Sequence, residues 1–473
     1  MPAFRIGNEH TLTVDQIEPQ GLASARLPEG TLYIHGGAVP GDTLRVRVAR
    51  KSRRMFEAEI LEVVEKSPLR VDPRCRYFGH CGGCKRQNLL YSAQLDLKRQ
   101  AVEDAFARHR IEVPGGVPTP LAAARLYEYR NKMEFSFGAR RWLTDWEIAS
   151  GEPMRKDFAL GLHLPLHFDR VVDLHECHLP PPPAQAVVNG LRALALEHGY
   201  APWNTKTHEG YLRHLGLRLP ARTSDVLVNL VTSSHDPQRI DTIAAFLRRD
   251  VPAVTTFVNT IHSGLAQVAI GQSQSVVFGS GSVVDRIGPH EFRIGPSSFF
   301  QTNTEQAERL YELALEFADL TQDDLVYDLF SGVGTITLFV SGHAKRVLGL
   351  ELDAEAVHHA RQNADRNGVT NVAFESGDIA EKLNHDLVRK YGEPDVVIVD
   401  PPRAGLHPKV VQSLGAMRPR RLVYVSCNPE SQAKDIAALA PAFTLARVAP
   451  VDLFPHTDHV ENVALLLAKT VPF

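Results

Sequence analysis

The stretch LVYDLFSGVGTITLFV, Leu325 to Val340, decides the fold. It opens as a short apolar run, carries Asp328 near its end, turns at Gly332 and Gly334, and resumes as an apolar helix. An apolar run of this length bounded by glycine is a buried strand. The two glycines let the backbone turn tightly and approach a ligand where the helix opens. The same grammar repeats outward. RVLGLEL, NVAFESGD, PDVVIVDPPR and RRLVYVSCNP read as four further strands, EAVHHARQNADRNG as a helix stopped by glycine, and FTLARVAPVDLF and ENVALLLAK as two last strands. Strands alternating with helices predict a doubly wound, mostly parallel Rossmann-like α/β domain over residues 301–473, with its ligands at the carboxyl ends of the strands.

The remainder of the 473 residues is too long for one more ordinary domain. Residues 1–66 show five short strand patterns separated by Pro, Gly and Asp turns, which suggests a small OB-like β-barrel. Residues 67–300 read as a central α+β domain. It opens with a cysteine-bearing loop and a helix in SAQLDLKRQAVEDAFARH, where Leu95, Val102, Ala105 and Phe106 recur at helical spacing. YRNKMEFSFG, FALGLHLP, DVLVNLVTSS and AVTTFVNTI are its expected strands, with helices near 184–199 and 237–249.

A composition of 44% hydrophobic and 23% charged residues is that of a globular protein. No apolar run approaches the roughly 18 residues of a membrane helix, and MPAFRIGNEHTLTV has no apolar signal core, so a cytoplasmic protein is expected. Net charge is −3, but RVRVARKSRR, Arg45 to Arg54, carries six basic residues and no acidic one. Such a run is either a solvated strand face or a patch that contacts phosphates.

Glu351 ends the strand after the glycine turn, 23 positions beyond Asp328, where a carboxylate can take both ribose hydroxyls. A dinucleotide site would be the first thought, yet position 337 is Thr where G-x-G-x-x-G needs its third glycine. A nicotinamide oxidoreductase is therefore disfavoured. S-adenosylmethionine has a ribose, an adenine, an amino-acid tail and a sulfonium but no phosphate. The glycine turn with Gly332, the carboxylate of Glu351, and Asp378 after the third strand suit it better.

Five cysteines are present: Cys75, Cys81, Cys84, Cys177 and Cys427. The spacing C-x5-C-x2-C, a distant fourth and one left over reads as four metal ligands plus one. Four thiolates accept either zinc or an iron–sulfur cluster, and spacing leaves both open. The one left over, Cys427, ends the fifth strand in YVSCNPES; Asp400 ends the fourth, and Glu461 precedes the last. Singly, a strand-end Cys is most often packing and a loop Glu is a solvated charge. Together they supply what methylation of a uracil carbon needs. A thiolate adds to C6, the resulting enolate carbon C5 attacks a sulfonium methyl, and a base removes the C5 proton. In this set Cys427 is the nucleophile, Glu461 the base, and Asp400 a partner for the pyrimidine edge. A base within folded RNA must be flipped out to reach them.

These stretches, with FFQTN, GLELDAEAV, DPPRAGL and HTDHVENV, make the chain resemble the RNA uracil-5-methyltransferases, most closely those acting on 23S ribosomal RNA. The resemblance spans nearly the whole chain. It implies a TRAM-type RNA-binding barrel at the N-terminus and a C-terminal methyltransferase domain. It also implies that Gln301, Phe330, Glu351, Asp378 and Asp400 line the S-adenosylmethionine site. It assigns Cys75, Cys81, Cys84 and Cys177 to a [4Fe-4S] cluster. One departure is Ser331, where many members carry Cys. Ribosomal RNA is the expected substrate, a transfer RNA uridine-5-methyltransferase or a non-enzymatic RNA-binding protein the alternatives, and a monomer the expected state.

Overall fold

The computed structural model describes residues 4–18, 21–52, 55–165, 167–266 and 271–470. Three large sheets follow one another along the chain. The first has six strands in the order Glu9–Thr13, Thr43–Ser52, Met55–Glu65, Gly30–His35, Ala23–Leu27 and Gln16–Ile17. One more strand than expected arises because HTLTVDQIE breaks into two. Neighbours are antiparallel except Gly30–His35 against Met55–Glu65. Its core is Leu12, Val14, Leu32, Ile34, Leu44, Val46 and Val48, which alternate along the strands as a half-buried sheet requires.

The second sheet has eight strands between Lys132 and Phe278. The four expected strands are there, joined at the edges by Arg141–Trp142, Val171–Asp173 and Ser273–Phe278 and, near the middle, by Leu212–Arg218. Its residues Arg213, His214 and Arg218 are buried, so LRHLGLR hides a central strand behind polar letters. The helices Pro183–Glu197 and Pro237–Asp250 pack on it.

The third sheet holds β1 (Leu325–Leu329), β2 (Arg346–Glu351), β3 (Val372–Ser376), β4 (Val396–Val399), β5 (Arg421–Ser426), β6 (Phe443–Val451) and β7 (Glu461–Ala468). Its order is β3-β2-β1-β4-β5-β7-β6. The first five strands are parallel, and β7 is antiparallel to both β5 and β6. Val396, Val397, Ile398 and Val399 of β4 are all fully buried, because both faces of a parallel sheet are covered by helices. Each such side chain contributes about 2 kcal/mol on burial. The order reverses between β1 and β4, which opens a crevice at their carboxyl ends.

The cores do not stop at residues 66 and 300. Val102, Ala105 and Phe106 of the helix Tyr91–Arg108 pack beneath the third sheet with Tyr424 and Ile436. The hairpin Val283–Ile287 and His290–Ile294 packs on its other face with Leu310 and Val326. The amphipathic spacing of LDLKRQAVEDAF is thus explained by a partner more than 300 residues away.

Candidate active site

The antiparallel pairing of β5 and β7 builds the reactive corner. Ser426 pairs with Asn462 in the ladder, so the next residue on each strand, Cys427 and Glu461, falls opposite in the same register. Opposed residues of antiparallel strands have Cα atoms about 5 Å apart. Gln432 fastens the corner by donating to the carbonyls of Tyr424 (2.8 Å) and Asn462 (3.1 Å) and accepting from Asn462 Nδ2 (2.7 Å). Asn428 stops the strand and caps the helix Pro429–Leu439, while its Nδ2 donates to the carbonyl of Arg403 at 2.8 Å. Asp400 follows β4, which lies beside β5.

Three carboxyl groups meet at this end of the sheet, and each is held well above the ordinary carboxylate range. Burial pushes Glu461 up to about 8, with the charge of Asp400 adding and Arg403 and Lys98 opposing. Burial pushes Asp400 up to about 7. Burial also raises Asp328 to about 7, with Asp400 and Glu351 adding and the Thr337 hydroxyl opposing through a 2.6 Å bond to Oδ2. Among the described residues, Asp328 Oδ1 is buried without a hydrogen-bond partner. Burial lifts the Cys427 thiol to about 11, with Glu461 and Asp400 adding and Arg403 opposing. A pocket of this kind disfavours anions and gains from a cation. Asp328 is not among the site residues expected from the sequence; its signal there is an acidic letter inside an otherwise apolar strand.

The adjoining glycine turn is preorganised. Phe330 and Ser331 donate N–H groups to the carbonyl of Leu350 (2.9 and 3.0 Å). Gly332 donates to Glu351 Oε2 at 3.0 Å, and Asp353 donates to Oε1 at 3.0 Å. Both carboxylate oxygens are therefore fixed, with lone pairs left for two hydroxyls. A Cβ on Gly332, at φ +55°, would meet nothing within 4 Å, whereas one on Gly334 would press on Phe374 and Ala360 at 3.0–3.2 Å. The first glycine keeps space open and the second lets the helix pack on the sheet. Phe330 holds φ +68°, a left-handed conformation that a non-glycine residue keeps only where its surroundings impose it.

Gln301 is buried, and its carbonyl accepts from Asn131 Nδ2 at 2.8 Å. Asp378 sits beside the end of β2, since Gly377 N–H bonds the Glu351 carbonyl at 2.9 Å. Its exposed carboxylate accepts from Ala380 N–H (2.9 Å) and so caps the short helix Ile379–Lys382. Cys75, Cys81, Cys84 and Cys177 lie close enough for the charges of some to act on others. Burial raises all four thiols, Cys84 to about 11 and Cys177 to about 12, and Cys81 is raised further by the charges of Cys177, Cys84 and Cys75. Their loop is tied by Gly82 N–H to the His163 carbonyl (3.1 Å) and by Cys75 N–H to Gln87 Oε1 (3.1 Å). Among the described residues, however, no group of three or more His, Cys, Asp or Glu stands as a ready cage for a metal ion.

Three of the six cations of the basic run are paired with carboxylates. Arg45 pairs with Glu9 (3.1 Å) and Glu62 (3.0 Å), Arg47 with Glu9 (3.0 Å) and Arg50 with Glu57 (2.6 Å). Arg53 and Arg54 lie outside the described residues.

The strand order, the fixed Glu351 and the open glycine turn define the Rossmann-like class of methyltransferase folds. Comparison with known proteins narrows the class. Residues 270–470 match the family model described as tRNA (Uracil-5-)-methyltransferase. An RNA methyltransferase of Chlorobaculum tepidum is 38% identical over 471 residues, spanning 98% of this chain and 96% of its own length. One of Bacteroides thetaiotaomicron is 38% identical over 94% of this chain and 99% of its own. The solved tRNA (uracil-54, C5)-methyltransferase of Pyrococcus abyssi, in complex with S-adenosyl-L-homocysteine, superposes with a TM-score of 0.75. It is 27% identical, over 97% of this chain and 99% of that one. The chain belongs to this family of RNA uracil-5-methyltransferases; it is an enzyme, and neither a nicotinamide oxidoreductase nor a non-enzymatic RNA-binding protein.

Proposed function

We propose that the enzyme transfers the methyl group of S-adenosylmethionine to C5 of a uridine in RNA through a covalent adduct at Cys427. The observation that carries this is the β5–β7 register, which sets a thiol opposite a buried carboxyl beside Asp400. S-adenosylmethionine fits the turn at Gly332 through its ribose on Glu351. Its sulfonium suits the acidic corner of Asp328, Asp400 and Glu461, with Gln301, Phe330 and Asp378 completing the lining.

The Cys427 thiolate adds to C6, and the displaced C5=C6 pair forms an enolate on O4. C5 then attacks the methyl carbon; the carbon–sulfur bond breaks and its electron pair stays on sulfur, giving S-adenosylhomocysteine. Glu461 takes the C5 proton, the C5–H pair restores C5=C6, and the C6–S bond breaks to return the thiolate. Asp400 hydrogen-bonds the pyrimidine edge. We assign the N-terminal sheet as a TRAM-type OB-like barrel over 1–66, with the central domain at 67–300 and the methyltransferase domain at 301–473.

Cys75, Cys81, Cys84 and Cys177 are the proposed donor set of an iron–sulfur cluster, on the strength of their number and spacing. We assign them to a [4Fe-4S] centre that fastens the loop, completed only when metal displaces the four thiol protons. Anaerobic purification yielding a colourless, zinc-loaded protein would contradict that assignment. Large-subunit ribosomal RNA is the proposed target on the strength of these cysteines. The whole-chain likeness to the Pyrococcus abyssi enzyme supports a second reading, transfer RNA. Mass spectrometry of defined RNA fragments from a deletion strain separates them. Loss of 5-methyluridine from 23S RNA supports the first, and loss from transfer RNA alone overturns it. A cytoplasmic monomer is proposed; no described helix is long and apolar enough to cross a membrane.

A further inference from the structure

The loop between β6 and β7, which delivers Glu461, is gripped from outside by the residues that follow the cysteine loop. The carbonyl of His456 accepts N–H bonds from Lys85 (2.8 Å) and Arg86 (3.1 Å), the two residues after Cys84. His456 N–H donates to Gln94 Oε1 at 2.9 Å, and its ring lies 4.5 Å from that of Tyr127. His456 holds φ +67°, so these partners maintain a backbone shape that a histidine does not choose by itself. From beneath, the buried Lys98 pairs with Asp452 and donates to the Phe454 carbonyl at 3.0 Å. Tyr91 donates its hydroxyl to Asp452 at 2.9 Å.

Arg86 is where three parts of the molecule meet. Its backbone holds His456. Its Nε donates to Asp458 Oδ1 at 2.7 Å, and its Nη2 donates to the Gly21 carbonyl of the N-terminal sheet at 2.8 Å. The side chain is 7% exposed. A Cβ on Gly21 would come within 2.5 Å of Asp458 Oδ2, so the N-terminal sheet and the catalytic loop are in close contact at this point. Glu461 is three residues beyond Asp458.

We propose that Arg86 is a positioning residue for proton abstraction, locking the N-terminal sheet and the cysteine loop to the loop that carries Glu461. The inference rests on the assignment of Glu461 as proton acceptor. Misplacing a reacting group by about 1 Å can cost roughly 100-fold in rate. The step affected is the one in which Glu461 takes the C5 proton, C5=C6 reforms and the C6–S bond releases Cys427. Addition of Cys427 and methyl transfer precede it, so a loosened loop stalls the reaction as a methylated protein–RNA adduct.

The test uses the full chain, total RNA from a strain lacking the gene, and S-adenosylmethionine with a tritiated methyl group. Arg86→Met and Asp458→Asn should lower kcat at least tenfold, leave KM for S-adenosylmethionine within twofold, and accumulate a labelled adduct that survives denaturing electrophoresis. Arg86→Lys, which keeps a buried donor for Asp458 Oδ1 while Lys85 Nζ, 3.2 Å from Oδ2, stays in both Arg86 variants, should recover part of the turnover and show less adduct. Loss of turnover with no adduct in Asp458→Asn, an isosteric change whose folding is checked by circular dichroism, overturns the role even where Arg86→Met misfolds. Glu461→Gln separates the two claims. If it too yields no adduct, the assignment of Glu461 fails and this inference with it; if it traps adduct and the Arg86 and Asp458 variants do not, only the positioning role fails.

Discussion

Replacing Glu461 with glutamine should make the protein more stable and unable to turn over. Glu461 is 4% exposed and its carboxyl titrates near 8 instead of 4.5. The folded-state value lies above the unfolded one, so the fold binds this proton more tightly than the unfolded chain does. Below pH 4.5 both states are protonated and nothing is lost. As pH rises toward 8 the unfolded chain ionises while the fold does not, and stability falls by about 1.4 kcal/mol per pH unit. The deficit is roughly 3 kcal/mol at pH 7 and approaches about 5 kcal/mol above pH 8. Glutamine has nearly the same shape and never ionises, so Glu461→Gln escapes the deficit. Urea denaturation of both proteins without cofactor, at pH 5, 7 and 8.5, measures it. The expected gain is small at pH 5, about 3 kcal/mol at pH 7 and larger at pH 8.5. Turnover should vanish at every pH. A gain that does not change with pH, or a variant that retains turnover, would refute the reasoning that a buried carboxyl is kept here at the expense of stability because the reaction needs a base.

Gly332→Ala should cost about 1 kcal/mol for a left-handed alanine, and weaken S-adenosylmethionine binding at least tenfold, because its Cβ enters the open cradle; unchanged binding by calorimetry removes the turn from the cofactor site. The Cys427 thiol, pushed up to about 11, should react with iodoacetamide only at high pH in the free enzyme. A sulfonium about 5 Å away at an effective dielectric of about 20 is worth roughly 3 kcal/mol, so S-adenosylmethionine should lower the midpoint of alkylation by about two pH units. Peptide mass spectrometry of the Cys427 peptide reads this, and an unmoved midpoint contradicts a sulfonium beside the thiol. Lys98→Met leaves the buried Asp452 carboxylate unpaired and should destabilise by about 3–5 kcal/mol, most of it recovered by adding Asp452→Leu; a single variant as stable as the parent shows the pair to be dispensable.

The third sheet was legible in the sequence because each of its strands is a buried apolar run and each connection carries a glycine, a proline or a capping residue. Asp328, Glu351, Asp400 and Cys427 could be placed at strand ends by counting. The pairing that makes Cys427 and Glu461 face each other could not, because strand register is a property of two segments 34 residues apart and is set by the Ser426–Asn462 pair. LRHLGLR concealed a strand because its arginines and histidine find buried partners, with Arg213 donating to the carbonyls of His262 (2.7 Å) and Gly264 (2.6 Å). The basic run reads locally as either a solvated strand face or a phosphate patch, and the pairing of Arg45, Arg47 and Arg50 with Glu9, Glu57 and Glu62 on neighbouring strands is invisible to a local pattern. The grip of Arg86 on the catalytic loop spans 372 residues of chain, a separation at which no local pattern carries information.

The central claim is that Cys427 bonds to C6 of a uracil while C5 is methylated. RNA in which uridine is replaced by 5-fluorouridine tests it directly, since the final step would have to remove fluorine as a cation, which a carboxylate base cannot do. Incubated with this RNA and S-adenosylmethionine, the enzyme should be trapped as a stable adduct, and digestion followed by mass spectrometry should place a methylated fluorouridine on the peptide containing Cys427. An enzyme that forms no such adduct while still methylating ordinary RNA, or an adduct on any other residue, would contradict the account.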